Sequence, residues 1–323
     1  MPLATIVVPA FNVSATISET LDSLQAQTLR DIEIVIIDDG STDNTRDVVA
    51  PYLADKRIRY VPQANRGLAG ARNRGIEEAR SNIIGFCDAD DLWHPDKIRR
   101  HVAHFDTNPR LGLSYSGSLM IDDDSNSLGI SQSPRRKGVN AAHVMKRNPV
   151  GNGSAAVMRR AALMDIASHP HGTIRAYYFD ETFRQSEDIE CWLRFALITD
   201  WKIEGIRGNL TYYRVALDGL SANTERQLAS WERVITKLRP LNPAFFEAHE
   251  PAARAYQLRY LARRAVSGSD GGQALSYLRA ANQSSLEPLR SEPLKTVTTY
   301  LAAYALKYLK LNPLTLRNRT TTS

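Results

Sequence analysis

Over the first 120 residues, short apolar runs alternate with stretches whose apolar residues recur every three or four positions. Ile6-Val7-Val8, Ile32 to Ile37, Arg59-Tyr60-Val61 and Ile83 to Cys87 are short and strand-like. Between them, Ile17, Leu21 and Leu24 fall on one helical face, with Ser14 placed to cap it. Ser41-Thr42-Asp43 offers cap residues for a helix to about Tyr52. Gly67 to Arg80 and Pro95 to Phe105 complete the helical segments, the last with Pro in its first turn. This alternation predicts right-handed crossovers and a parallel sheet covered on both faces.

The middle of the chain is less regular. Leu113 to Ile121 and Gly153 to Met158 read as strands, Ile189 to Leu197 as a helix, and Trp201 to Val215 as two strands. The polar stretch Asp122 to Gly138, with Arg135-Arg136-Lys137, reads as a mobile loop. After about Asn223 only helical spacing remains: Leu228, Trp231, Ile235 and Leu238, then Tyr256 to Val266, Ala274 to Ala281 and Leu294 to Leu311. The two middle segments suit a helical hairpin. Residues from Asn312 onward are expected to fray. A boundary near residue 223 divides the chain into domains 1–223 and 224–323.

Composition narrows the class. Of 323 residues, 43% are apolar and 24% charged, which excludes a collagen-like or wholly disordered chain. No apolar run approaches the ~20 residues of a membrane-spanning helix, and the N-terminus has no signal-peptide pattern, so the expected compartment is cytoplasmic. Cys87 and Cys191 sit in apolar stretches and read as core residues. Charge is uneven. Residues 225–323 hold 15 Lys+Arg against 7 Asp+Glu, whereas residues 1–224 hold 26 against 28. A basic tail suits nucleic acid, an anionic polymer or an anionic membrane surface.

Candidate chemistry gathers at strand ends, where open parallel sheets collect ligands. Pro9-Ala10-Phe11-Asn12 follows the first strand and Asp38-Asp39-Gly40-Ser41 the second. Asp88-Ala89-Asp90-Asp91 follows the fourth. Three carboxylates in four residues at the end of a buried strand call for a cation, and a hard divalent ion with phosphate ligands suits them. Asn65-Arg66-Gly67 through Ala71-Arg72-Asn73 places arginines and small residues at a helix start, a suitable pyrophosphate cradle.

Together these motifs resemble the family 2 glycosyltransferases, over roughly residues 3–215. Short acidic triplets are common in loops, so the specificity lies in the combination. The resemblance implies a GT-A α/β fold, a mixed sheet flanked by helices, here with a helical C-terminal extension. It implies an inverting enzyme that takes a sugar from a nucleotide-diphosphate donor, UDP-linked by expectation, with Mn²⁺ or Mg²⁺ as cofactor. By position, Pro9, Ala10 and Asn12 would line the nucleotide site. Asp39 would accept from the base, supported by Asp38. Arg72 would lie near the phosphates, Asp88 would approach the ribose or donor sugar, and Asp90 would hold the metal. Ser186-Glu187-Asp188, followed by Trp192-Leu193-Arg194, resembles the family's Glu-Asp motif. Asp188 would then be the catalytic base and Glu187 its orienting neighbour, although the position suits a helix cap equally well. Gly151-Asn152-Gly153-Ser154 matches a segment on the acceptor side, and Tyr213-Arg214 one that faces the diphosphate. The implied acceptor is a glycan or lipid-linked glycan hydroxyl in polysaccharide, lipopolysaccharide or glycolipid assembly, with no nucleic-acid partner. Val297, Leu301, Tyr304, Ala305 and Tyr308, beside Lys295, Lys307 and Lys310, raise a peripheral membrane contact as an alternative to packing within the domain. Trp93 and Trp192 are expected to pack, and His101 with His104 to lie on the surface. Two rival readings stand: a sugar nucleotidyltransferase, and a non-catalytic nucleotide-sugar-binding protein on the same fold.

Overall fold

A computed structural model describes residues 1–170, 175–215 and 224–310. The chain divides into two compact units. One comprises Met1–Ala141 with Asn148–Gly219, the other Ala142–Arg147 with Leu220–Ser323. The sequence gives no sign that the short segment 142–147 groups with the helical unit.

The first unit is built on a sheet nine-stranded among the described residues. Strands β1 (Ala4–Ala10) and β2 (Ile32–Asp38) are buried at every position, as unbroken apolar runs require of central parallel strands. β3 (Ile58–Pro62) forms the edge, where Pro62 needs no ladder donor. Between them lie α1 (Ile17–Gln25) and α2 (Thr45–Val49), and then α3 (Gly67–Glu78), β4 (Ile83–Phe86), β5 (Leu92–Trp93) and α4 (Lys97–Thr107) follow. β6 (Leu111–Ile121) and β7 (Ser127–Gln132) make a hairpin. β8 (Ala156–Arg159), α6 (Arg160–Met164), α7 (Glu187–Ile198) and β9 (Lys202–Arg214) complete the order, while α5 (Ala141–Lys146), between β7 and β8 in sequence, falls almost wholly in the second unit. The sheet runs β3-β2-β1-β4-β8-β6-β9-β5, with β7 on β6. Strands β1 to β4 are mutually parallel, but β8 is antiparallel to both β4 and β6. The first four strands are thus parallel, as the alternation predicts, and the sheet as a whole is mixed, as the GT-A resemblance implies. The register pairs Ala10 with Asp38 and Val7 with Phe86, which sets the polar loops after β1, β2 and β4 along one edge.

Several local expectations change. Helix α1 starts at Thr16 rather than Ser14, because Val13 and Ser14 donate their N–H groups to Thr45 and Asp43 across the edge. α2 gives way to a 3₁₀ turn at Ala50–Ala54, where Pro51 supplies no N–H. Pro95 lies outside α4, its carbonyl taken by the Thr28 N–H at 2.9 Å. The polar stretch 122–138 contains β7, entered through a turn in which Asp122 Oδ1 accepts from the Asp124 and Asn126 N–H groups. The region 202–214 is one strand rather than two, broken in register between Gly205 and Asn209. His101 and His104 are not surface residues. His101 is fully buried, and both ring Nδ1 atoms meet the Ser114 hydroxyl, at 2.7 and 2.8 Å. Lys97, Ile98, His101, Val102 and Phe105 share the inward face of α4, so the helical period carries His101 inside.

The second unit contains α8 (Thr224–Leu238), α9 (Pro243–Ser267), α10 (Gly271–Ser284), α11 (Glu287–Ser291) and α12 (Pro293–Tyr304), ending in a π turn at Ala305–Leu309. The expected hairpin is α9 against α10, packed through Leu258, Leu261, Ala262, Leu275 and Leu278. Asp270 caps α10 by accepting from the Gln273 N–H at 2.8 Å. Residues from Leu311 onward lie outside the described residues, as do 216–223 at the expected domain boundary.

One close approach fixes α3 on the sheet. A Cβ on Gly75 would come within 2.1 Å of Val7 Cγ1 in β1. Gly75→Ala is expected to destabilise the first unit by about 1–3 kcal/mol through overpacking. Urea unfolding followed by tryptophan fluorescence checks this. An unchanged midpoint would mean that α3 has slack against β1.

Candidate active site

The acidic loop begins where β4 ends. Asp88 receives its backbone hydrogen bond support from Ser154, whose Oγ accepts the Asp88 N–H at 2.9 Å. The segment 151–154 therefore buttresses the loop. Arg72, on α3, reaches the same place from the other side. Its Nη2 donates to Asp88 Oδ1 at 2.8 Å and Oδ2 at 3.1 Å, and its Nη1 donates to Glu187 Oε1 at 2.7 Å. The guanidinium is buried and lies 5.5 Å from the Phe179 ring centre. Gly153 makes room for it, since a Cβ there would sit 2.1 Å from Nη2. Burial alone would lower the Arg72 pKa, but Asp88, then Glu187 and Asp188, raise it, so the cation is secure. Arg72 thus ties the acidic loop to the start of α7.

The remaining acids divide by partner. Asp91 is buried and accepts the Arg214 N–H at 2.9 Å. Burial, then Asp90 and Asp88, push its pKa well up. Asp90 is exposed, yet the surrounding protein desolvates it and Asp88 repels it, so its pKa rises to about 6. Among the described residues, no other residue donates a hydrogen bond to its carboxylate. Lys97, missed by the sequence reading, is buried beneath the loop, 2.7 Å from Thr211 Oγ1 and 4.7 Å from the Trp93 ring. Burial lowers its pKa to about 7, with Cys87 and Asp91 opposing. A lysine opening an amphipathic helix carries no sequence signal that would have marked it.

The Arg214 guanidinium is taken up by groups of the protein. Its Nε donates to the Asp90 carbonyl at 2.8 Å, and its Nη1 to the Asp122 and Asp123 carbonyls at 2.9 and 2.6 Å. Its Nη2 meets Glu19 Oε2 at 2.8 Å and Ser125 Oγ at 2.9 Å. It fastens the acidic loop to α1 and to the turn after β6.

At the β1 and β2 ends, Pro9 and Ala10 are buried in the last two positions of β1. Asn12 adopts a left-handed backbone (φ 52°), and its Oδ1 accepts the Thr42 N–H at 2.8 Å. It frames the loop 41–43. Asp38 Oδ1 accepts the Ser41 N–H at 2.8 Å, and its Oδ2 accepts from the Tyr60 hydroxyl. Asp39 accepts from Gln63 Nε2 at 2.6 Å, the Arg66 N–H at 2.8 Å and the Gly67 N–H at 2.7 Å. A carboxylate has about four lone-pair positions, and these three donors occupy three of them.

On α7, Ser186 holds a left-handed backbone (φ 64°) at the helix start, an arrangement that costs of order 1–3 kcal/mol and that surrounding structure must enforce. Glu187 is buried on Arg72. Asp188 accepts the Ile189 N–H at 2.7 Å, so it does serve the helix terminus. Asp188 keeps partial solvent exposure, yet dense protein around it desolvates the carboxylate and Glu187 repels it. These outweigh Arg72 and lift its pKa to about 7.

The donor set suits a hard cation of limited protein coordination. No group of three or more His, Cys, Asp or Glu residues is placed to hold a metal among the described residues. Mg²⁺ and Mn²⁺ in nucleotide sites commonly use one or two carboxylates plus phosphate oxygens, and the unengaged Asp90 carboxylate fits that demand.

Arg72→Met would leave Asp88 and Glu187 unpaired. It is expected to destabilise the first unit by about 3 kcal/mol, the low end for a broken buried pair because Asp88 stays 22% exposed. Arg72→Lys, which keeps the charge but not the fork, should lose less. Denaturant midpoints of the two variants check the order, and equal losses would contradict the bridge.

The chain is similar to known proteins in sequence and in fold. The model of the family described as glycosyl transferase family 2 matches residues 5–167. The chain is 32% identical to the UDP-Glc:alpha-D-GlcNAc-diphosphoundecaprenol beta-1,3-glucosyltransferase WfaP of Escherichia coli, over 74% of this chain and 87% of that protein. For two other curated relatives, both uncharacterized glycosyltransferases, the match spans only 38% and 32% of their length. In fold, the chain resembles S. aureus TarS 1-349 in complex with UDP-GlcNAc, with TM-score 0.60, 19% identity, and coverage of 94% of this chain and 91% of that one. It also resembles the mannosyltransferase PcManGT from Pyrobaculum calidifontis in complex with GDP-Man and Mn²⁺, with TM-score 0.57, 20% identity, and coverage of 96% and 88%. The strand-end acids, the bridging arginine and the matched residues lead to one statement: the chain belongs to glycosyl transferase family 2.

Proposed function

We propose that the protein is an inverting glycosyltransferase that moves a sugar from a UDP-sugar to a hydroxyl of a glycan or lipid-linked glycan. The observation that carries this is the Arg72 bridge, which holds the strand-end acid Asp88 and the helix-start acid Glu187, the neighbour of Asp188, against one cation. Catalysis belongs to residues 1–223, with 224–323 as a helical extension. The nucleotide base lies at Pro9 and Ala10, and its N–H takes the remaining lone pair of Asp39. Asp38 and Asn12 hold the loops that shape that pocket. Asp88 meets the ribose or donor sugar. Asp90, with the donor's phosphates, would hold Mn²⁺ or Mg²⁺, which would stabilise charge on the departing diphosphate.

Transfer needs a base opposite the leaving group. Asp188 takes the acceptor hydroxyl proton as that oxygen bonds to the anomeric carbon. The carbon–oxygen bond to the diphosphate breaks with its electron pair, and UDP departs. Glu187, held by Arg72, fixes the helix start that presents Asp188.

The UDP choice draws support from the E. coli relative and the S. aureus neighbour, whose names include UDP-sugars. A lipid-linked acceptor follows the same relative's name. No helix among the described residues is long and apolar enough to cross a membrane. In this reading the protein works in the cytoplasm, peripheral at the inner membrane face through its basic C-terminal helices.

Purified protein with Mn²⁺ and a panel of UDP- and GDP-sugars should slowly release nucleoside diphosphate from one donor. Release from none would remove the enzymatic reading. Because Asp188 must be deprotonated, and its pKa is raised to about 7, log(kcat/KM) should climb with unit slope as pH rises toward 7 and level above it. Asp188→Asn should keep donor binding and lose transfer by about 10²–10⁴-fold; a surviving rate would exclude Asp188 as base. Titration calorimetry of Asp90→Ala with UDP should show the Mn²⁺-dependent gain in affinity gone. If the gain persists, the metal role passes to Asp88 or Asp91.

A further inference from the structure

The last helical stretch of the second unit has two dissimilar faces. Thr296, Thr299 and Ala303 turn inward and are buried. Leu294, Val297, Leu301, Tyr304 and Tyr308, spaced three and four residues apart, form a continuous outward stripe. Exposure is high along it: 81% at Leu294, 64% at Leu301 and 58% at Tyr308. At 1.5 Å per residue the stripe is roughly 20 Å long. Single exposed apolar residues are ordinary, but a stripe of five on one helix marks a contact surface.

Charge selects the partner. From Pro293 to Ser323 the sequence holds Lys295, Lys307, Lys310, Arg317 and Arg319 and no Asp or Glu. Lys295, Lys307 and Lys310 are exposed. The nearest acid, Glu292, is already shared by Arg147, Arg259 and Lys295. A second copy of the same helix would bring like charges together. An anionic lipid surface offers both an apolar interior for the stripe and negative headgroups for the lysines. Tyr304 and Tyr308 stack with ring centres 5.6 Å apart, and Lys307 Nζ lies 5.2 Å from the Tyr308 ring. Amphipathic rings and a lysine at one helix end suit the headgroup boundary.

We propose that the stripe Leu294–Val297–Leu301–Tyr304–Tyr308 lies in the plane of an anionic membrane surface, with Lys307 and Lys310 on the headgroups. The proposal deepens the reading of a lipid-linked acceptor and rests on it for the biological role of the contact, while the surface itself stands on exposure and charge.

The full chain is mixed with phosphatidylglycerol-containing vesicles or with pure phosphatidylcholine vesicles, without donor or acceptor, and sedimented. It should pellet with the first, weaken with added salt, and stay in solution with the second. Leu301→Glu with Tyr304→Glu should weaken pelleting on the order of tenfold or more. Lys307→Glu with Lys310→Glu, which removes no apolar surface, should weaken it on the order of tenfold and serves if the first variant misfolds. Both variants should hydrolyse donor as the unchanged chain does. Pelleting with neither vesicle, or unaltered pelleting of the charge-reversed variant, overturns the proposal. So does a wild-type dimer that the Leu301 and Tyr304 substitutions dissolve without any vesicle binding. Loss of vesicle binding leaves the donor assay intact, so failure here and failure of the glycosyltransferase reading are separable.

Discussion

A single guanidinium, with no outlet to bulk water, stands where three parts of the first unit meet. Arg72 comes from α3, Asp88 from the end of β4, and Glu187 from the start of α7. A buried ion pair is tolerable only when its geometry is good and neither partner is left alone. That condition reaches outward. Gly153 must lack a Cβ, α3 must lie close on β1 through Gly75, and Asn73 must hold the Phe179 segment that faces the guanidinium. The bridge and the fold around it enforce each other.

The acidic loop shows how four residues with three carboxylates divide their electrostatic burden. Asp88 leans on Arg72. Asp91 has the Arg214 N–H and, in its field, the buried Lys97. Asp90 has no hydrogen bond from another described residue, and the loop's backbone is held from below by Ser154 and from the side by Arg214. The backbone of the loop is thus fixed while the Asp90 side chain stays exposed.

Much of this was legible in the chain. Unbroken apolar runs identified β1, β2 and β4, and the polar loops after them share an edge because parallel strands share a direction. Asp39 and Asp188 stood out through the resemblance to family 2 glycosyltransferases, whose motifs they match. What was not legible is long-range. Nothing near Arg72 in sequence announces Glu187, 115 residues away, and the lone Lys97 and Glu19 carry no motif. The antiparallel entry of β8 depends on a crossover that local periodicity does not encode. His101 was misplaced because polarity was weighed above its position on the inward period of α4.

The placement of Glu187 beside Asp188 now has a physical reason. A carboxylate that receives a full share of a guanidinium is stabilised as an anion and becomes a weaker base. If Asp188 sat directly on Arg72, its pKa would be drawn down and with it any capacity to take a proton from a hydroxyl. Glu187 occupies that seat at 2.7 Å. Asp188 is left with one helix N–H, a desolvating wall and a like charge beside it, and its pKa stands at about 7. In the proposed transfer, one acid satisfies the buried cation and leaves its neighbour, just after the left-handed Ser186, to act as the base.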